Sequence, residues 1–121
     1  MNSFSWRTFL LSFRGRAPRS DYWLRLVLPF FGFILLIGVL ANAMPDAEPI
    51  LKTIFAVVLV AMVWPSLAVA VKRLHDRDKS AWWLLLLMIP VIGSIWWFVD
   101  GGCLRGTKGP NRYGNDPLKS Y

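Results

Sequence analysis

The side chains of this chain that are able to do chemistry gather in three short clusters. Arg14, Arg16, Arg19 and Tyr22 stand in the first, Lys72, Arg73, His75 and Asp76 with Trp82 and Trp83 in the second, and Asn111, Arg112 and Tyr113 in the third. Guanidinium groups bind phosphate bidentately, and glycine-rich backbone lets amides approach an anion closely. Brought together, the three clusters would make one basic pocket whose obvious occupant is an anionic lipid headgroup. The competing reading is plain retention charge, the Lys and Arg that keep loops on the cytoplasmic side.

Spacing within the second cluster narrows its chemistry. Lys72 and Asp76 lie four apart, as do Arg73 and Arg77, so on a continuing helix the first pair is set to bond and the second to repel, which invites an anion. His75 and Asp76 are adjacent, hence point in different directions on a regular helix, and cannot act as an acid/base dyad without a partner from another cluster. A structural hydrogen bond is the expected role of His75.

Other chemistries lack their signatures. His75, Asp76, Asp78, Asp100 and Cys103 are the available metal ligands, and no pair has a ligand spacing. Cys103 and Ser80 have no nucleophile motif around them, and Gly106 to Gly114 lacks the GK[ST] ending of a phosphate-binding loop. No catalytic residue, cofactor or metal is therefore expected.

The elements that must position these clusters are apolar. Of 121 residues, 55% are hydrophobic and only 17% charged, with the charges bunched between long uncharged stretches; the mean hydropathy is +0.44. Such clustering points to membrane spans. The net charge of +7 suits anionic lipid as well as nucleic acid, and the apolar runs favour lipid. The single cysteine excludes an internal disulfide. No cleavable signal is expected at the N-terminus, because its arginines follow the first apolar patch.

Residues 4–19 are expected to form an amphipathic helix and basic turn, with Trp6, Phe9, Leu10 and Phe13 on one face, either lying at the membrane interface or packed on the spans. A first span over 22–43 is expected to start at a cap on Ser20 or Asp21, and its Arg25 to snorkel toward headgroups. Asn42 to Glu48 makes a short acidic turn. The second span, 51–71, contains Pro65, which should kink it. The third apolar segment, 81–99, is broken near Pro90 and Gly93, and 100–121 reads as a polar, loop-like tail. The seven tryptophans fall mostly at the ends of these segments, where anchoring explains them.

Charge bears on the topology. As one straight helix the third segment would be roughly 28 Å long, enough to cross, and the basic tail would then be exported. A re-entrant third segment would instead keep thirteen of the fourteen basic residues on the cytoplasmic side, with only Lys52 opposite. The turn is preferred, with the N-terminus cytoplasmic.

Phe13-Arg14-Gly15-Arg16-Ala17 with Arg19 and Tyr22-Trp23, then Lys72-Arg73-Leu74-His75-Asp76 with Ser80 and Trp82-Trp83, then Ile89-Pro90 with Gly93, and Gly106-Thr107, Gly109, Asn111-Arg112-Tyr113-Gly114 and Asp116-Pro117 resemble the bacterial family called domain of unknown function 805. The likeness runs through nearly the whole chain; Ala81 departs from the glycine common at its position, which leaves the turn before Trp82 less free. The resemblance implies a multi-pass protein of the bacterial inner membrane whose shared features are these same three clusters. It supplies no reaction, ligand or catalytic residue.

The expectation is thus an all-α integral membrane protein forming one membrane domain: an interfacial N-terminal helix, two transmembrane helices and a kinked or re-entrant third segment. Its expected role is a non-enzymatic module, binding an anionic headgroup or a partner protein through the clustered residues and not binding nucleic acid. A homo-oligomeric transporter or channel subunit is the second reading, although no charge lies mid-span. A lipid-modifying enzyme using His75 and Asp76 is the third.

Overall fold

The computed structural model describes residues 4–118, which are helical apart from turns and one isolated bridge between Asn111 and Gly114. Helix α1, Trp6–Leu11, begins at Ser5, whose Oγ accepts from the Thr8 amide at 3.3 Å. Its Phe9 turns inward onto Leu26 and Val69, while Trp6 and Leu11 face outward. One side of the amphipathic pattern is therefore satisfied by protein.

Helix α2, Arg19–Ala43, is long and apolar enough to cross a membrane. It starts two or three residues earlier than a Ser20 or Asp21 cap would allow: Pro18 holds the N-cap without a side-chain hydrogen bond, and Asp21 lies in the first turn, where its charge suits the positive helix end. Tyr22–Val27 widens into a π-helix, with the Leu28 amide reaching back five residues to Trp23. Pro29 accounts for this, since it has no N–H to offer the Arg25 carbonyl and its ring crowds that oxygen unless the turn opens.

A short acidic turn leads into α3, Glu48–Ala61, and α4, Val63–Asp76. The two are parts of a second helical run, Pro45–Asp76, that is also long and apolar enough to span. Regular geometry lapses at Met62, three residues before Pro65, the place where a proline disrupts the preceding turn. Helix α4 continues to Asp76 instead of stopping at Val71, so Lys72, Arg73, His75 and Asp76 share its last turns.

The third apolar segment is not one helix. Ala81–Met88 forms a tight 3-10 helix, the chain reverses at Pro90 and Val91, and α5, Ile92–Trp96, returns and runs into a second π-helix, Trp97–Cys103. Val91 takes a φ of 67°, a strained value for a β-branched residue, and the Ile92 amide closes onto the Pro90 carbonyl at 2.7 Å. Gly93 is where the two limbs touch: a Cβ there would collide with the Leu86 carbonyl and crowd Leu87 Cα. The tail consequently begins at Leu104 and is delivered back to the end from which the hairpin left.

The buried core sits at that same end, around Phe9, Leu26 and Val69 with Leu10, Tyr22 and Met62 packed against them. Beyond it, α2 and α3 display large apolar side chains outward. Contiguous apolar faces of this extent mark contact with lipid or other apolar partners.

Candidate functional site: a buried arginine junction

The last turns of α4 carry charge into the interior. Arg73 is fully buried and Asp76 nearly so, which physical chemistry permits only if each charge finds partners. Asp76 finds two. Its Oδ2 accepts from Arg73 Nη1 at 2.7 Å and its Oδ1 from Arg16 Nε at 3.0 Å. The surplus positive charge is met by backbone carbonyls. Arg73 donates to Gly101, Ala17 and Leu104, and Arg16 to Thr107, Gly109 and Gly114. Three remote stretches of chain are thereby held at one point.

The tail must come close for this to work. Gly106 lies so near the Asp76 carboxylate that any Cβ would overlap it, and the Thr107 amide donates to the Asp76 carbonyl at 2.6 Å. Asp76 is therefore held on both its backbone and its side chain.

Two expectations for this turn are corrected. Lys72 does not pair with Asp76, because both carboxylate oxygens are turned to arginines; its ammonium instead donates to the Thr8 carbonyl at 2.7 Å and to that of Phe9, closing the C-terminal end of α1. Nor do Arg73 and Arg77 leave a vacancy for an external anion. Arg77 Nε reaches Asp100 Oδ1 at 3.1 Å, and Lys79 takes the other oxygen at 2.9 Å.

His75 and Asp76 face different partners and share no hydrogen bond, so the geometry offers no dyad. The His75 Nδ1 lies 3.0 Å from the Gly15 carbonyl, and its ring stacks on Tyr113 with centroids 3.9 Å apart and planes 3° from parallel. Asn111 Nδ2 donates to the His75 carbonyl at 3.0 Å while its Oδ1 accepts from the Tyr113 amide. Gly15 reaches this position with a φ of 96°, which favours glycine.

The remaining expected site residues divide by exposure. Arg19 is exposed and donates to the Cys103 carbonyl at 2.7 Å. Arg112 bonds Asp78 at the surface, and the Arg14 side chain is exposed and bonded to no described residue. Tyr22 accepts from Trp97 Nε1 at 3.0 Å. Trp82 and Trp83 lie outside the junction, on the hairpin, where Trp83 stacks against Trp96 and Lys79 sits 4.7 Å from its ring.

Residues with no assigned role in the sequence reading complete the arrangement. Asp100 collects Arg77 and Lys79, and its only sequence signal is an acid ending an apolar run. Asp116 accepts from the Gly109 and Leu118 amides at 2.9 and 3.0 Å and from Arg105 at 3.3 Å, and these backbone donors draw its carboxyl down to about 2.

Comparison with known proteins adds a family. The family model described as "Protein of unknown function (DUF805)" matches residues 10–115. The inner membrane protein YhaH of Escherichia coli K12 is 40% identical over 111 residues, covering 88% of each chain. YhaI of the same strain, also named an inner membrane protein, is 41% identical over 108 residues, covering 88% of this chain and 86% of its own. The uncharacterized protein YiiR is 31% identical over 132 residues, with 89% and 87% covered. No solved structure matches.

Proposed function

This chain belongs to the DUF805 family of proteins of unknown function, and we propose that it is a non-enzymatic module of the bacterial inner membrane that binds anionic headgroups through a folded basic cap. In this reading α2 and the Pro45–Asp76 run cross the bilayer, the N-terminus and tail stay cytoplasmic, and α1 lies at the interface with Trp6 and Leu11 toward lipid. The hairpin enters from the cytoplasmic side and leaves by it. Its eight-residue 3-10 limb is about 16 Å long at the usual rise, roughly half of the ~30 Å hydrocarbon core.

The observation that carries the reading is the Arg16–Asp76–Arg73 junction, which with the Asn111 bond to His75 gathers all three basic clusters at one end and leaves Lys52, among the described residues, alone at the other. Positive charge concentrated at one membrane face is retained in the cytoplasm and attracts anionic phosphates there. Arg16, Lys72, Arg73, His75 and Asp76 build the cap. Arg14, Arg19 and Arg112, whose side chains stand at its surface, are the groups that meet the headgroup.

The test is titration of the detergent-purified protein with short-chain phosphatidylglycerol and phosphatidylcholine at low and high salt. Phosphatidylglycerol is expected to bind more tightly and to lose its advantage in salt, and Arg14→Gln with Arg112→Gln should weaken it about tenfold. Equal affinity of the wild type for both lipids, or a double variant that binds unchanged, defeats the reading.

A further inference from the structure

Near the start of α2 there is a second place where cationic chemistry is left open. Arg25 lies six positions after Arg19, at most about 9 Å along the helix by the usual rise, and therefore inside the apolar stretch. Its guanidinium carbon sits 3.3 Å from the centroid of the Phe4 ring, and Nε is 3.5 Å from Asp21 Oδ1. Nη1 is the one buried side-chain nitrogen or oxygen among the described residues with no hydrogen-bond partner. The side chain as a whole is 36% exposed, so the remainder of the fork is open to the surroundings.

We propose that Arg25 binds the phosphodiester of a phospholipid whose acyl chain runs down the outer face of α2. A guanidinium held at this depth needs an oxygen acceptor, and at the edge of the hydrocarbon the acceptors on offer are lipid phosphodiesters and ester carbonyls. Asp21 does not complete the fork, because it stands only against Nε, at 3.5 Å, and leaves Nη1 without a partner.

The surface beneath Arg25 distinguishes a lipid from free phosphate. Leu28, Gly32 and Leu35 stand at i, i+4 and i+7 in the regular part of α2 and so share one face, which begins just past the π-helical turn that carries Arg25. Leu28 and Leu35 are 61% and 69% exposed, and nothing stands within 4 Å of where a Gly32 Cβ would be. The result is an apolar track with a notch in it, leading away from a cation. On the other side Phe4 packs on Trp6 and Phe9, with centroids 5.0 and 5.4 Å apart, as an aromatic wall over the guanidinium. The Phe4 ring lies over the guanidinium carbon, and a phosphodiester reaching Nη1 displaces it to complete the fork.

This site is independent of the basic cap and needs only that α2 lie in lipid. It recognises a group that zwitterionic phospholipids also carry. The test is native mass spectrometry of the detergent-purified full chain with phosphatidylcholine, with diacylglycerol of the same acyl chains, and with inorganic phosphate as competitor. The wild type should retain one phosphatidylcholine more tightly than diacylglycerol, and millimolar phosphate should not displace it. Arg25→Gln should lower retention about tenfold, to the diacylglycerol level, while Arg14→Gln with Arg112→Gln leaves it unchanged. Displacement by phosphate, equal retention of diacylglycerol by the wild type, loss in the cap variant, or undiminished retention by a folded Arg25→Gln protein overturns the proposal. If Arg25→Gln does not fold, Phe4→Ala, which uncovers the guanidinium, should raise phosphatidylcholine retention several-fold, and no change there overturns it equally.

Discussion

Arg16 Nε stands 3.0 Å from Asp76 Oδ1 across sixty positions of sequence, with both side chains only 2% exposed. A contact so remote in sequence and so well buried ties the N-terminal turn to the end of the second long helix. Removing one partner of a buried ion pair leaves an uncompensated charge, which typically costs about 3–5 kcal/mol. Asp76→Asn should be the worse change, because it leaves two buried guanidinium groups without their shared anion, whereas Arg16→Gln leaves Asp76 still paired with Arg73. Thermal unfolding in detergent is expected to rank wild type above Arg16→Gln and Arg16→Gln above Asp76→Asn. An Asp76→Asn protein as stable as the wild type would remove the junction from the account of the fold.

Much of this architecture is written locally in the sequence, and the junction is not. Two long apolar runs and their charged ends are visible in any window of the chain, as are Pro65, Pro90 and Gly93, because hydropathy and backbone restriction are properties of neighbouring residues. The clusters were visible for the same reason, as polar interruptions. Partner choice is different. Lys72 and Asp76 have helix spacing that suits pairing, yet Asp76 takes Arg16 and Lys72 closes α1, since tertiary packing brings competitors that spacing cannot reveal. Asp100 and the stacking of Tyr113 on His75 depend likewise on the chain returning to α4 after the hairpin.

The close approach of the tail makes Gly106 a sensitive position. A methyl there meets the Asp76 carboxylate, which is fixed by two arginines and has nowhere to retreat. Gly106→Ala should therefore destabilise by about 1–3 kcal/mol, the usual cost of overpacking, and loosen the tail. Gly38→Ala is the control, since nothing lies within 4 Å of its Cβ position. Hydrogen exchange should show faster exchange of the Thr107 amide in the first variant and none of this in the second.

Asp116 predicts how the tail responds to acid. Its folded carboxyl lies near 2 and its ordinary value is 3.8, lowered first by the Gly109 and Leu118 amides and then by Arg105. A depressed carboxylate contributes stability that is present above the ordinary value and is lost as pH falls through the folded one. The loop from Gly109 to Asp116 should hold at pH 5 and weaken progressively between about pH 4 and pH 2. Asp116→Asn should exchange the Gly109 amide faster at pH 6 and show a flatter acid response than the wild type. A Gly109 amide with the same pH profile in both proteins would mean that the carboxylate does not govern the loop.

The hairpin gives a sidedness prediction that Cys103 can read without adding a probe, since it is the only cysteine and is exposed at the end of the returning limb. In right-side-out vesicles a membrane-impermeant maleimide should leave Cys103 unlabelled, and in inside-out vesicles it should label it, because the limb that ends there returns to the side where Ser80 left. Gly93→Val adds the discriminating arm. It forces the returning limb off Leu86 and Leu87, so the hairpin should open and the thermal stability should fall. Labelling of wild-type Cys103 only from the outside would mean either that the third segment crosses fully or that the basic cap itself faces outward, and either outcome overturns the proposed topology. The hydrogen bonds from Arg73 to the Gly101 and Leu104 carbonyls hold Cys103 on the side of Arg73, and the proposed cytoplasmic placement of the basic cap then makes the inside-out pattern the expected one.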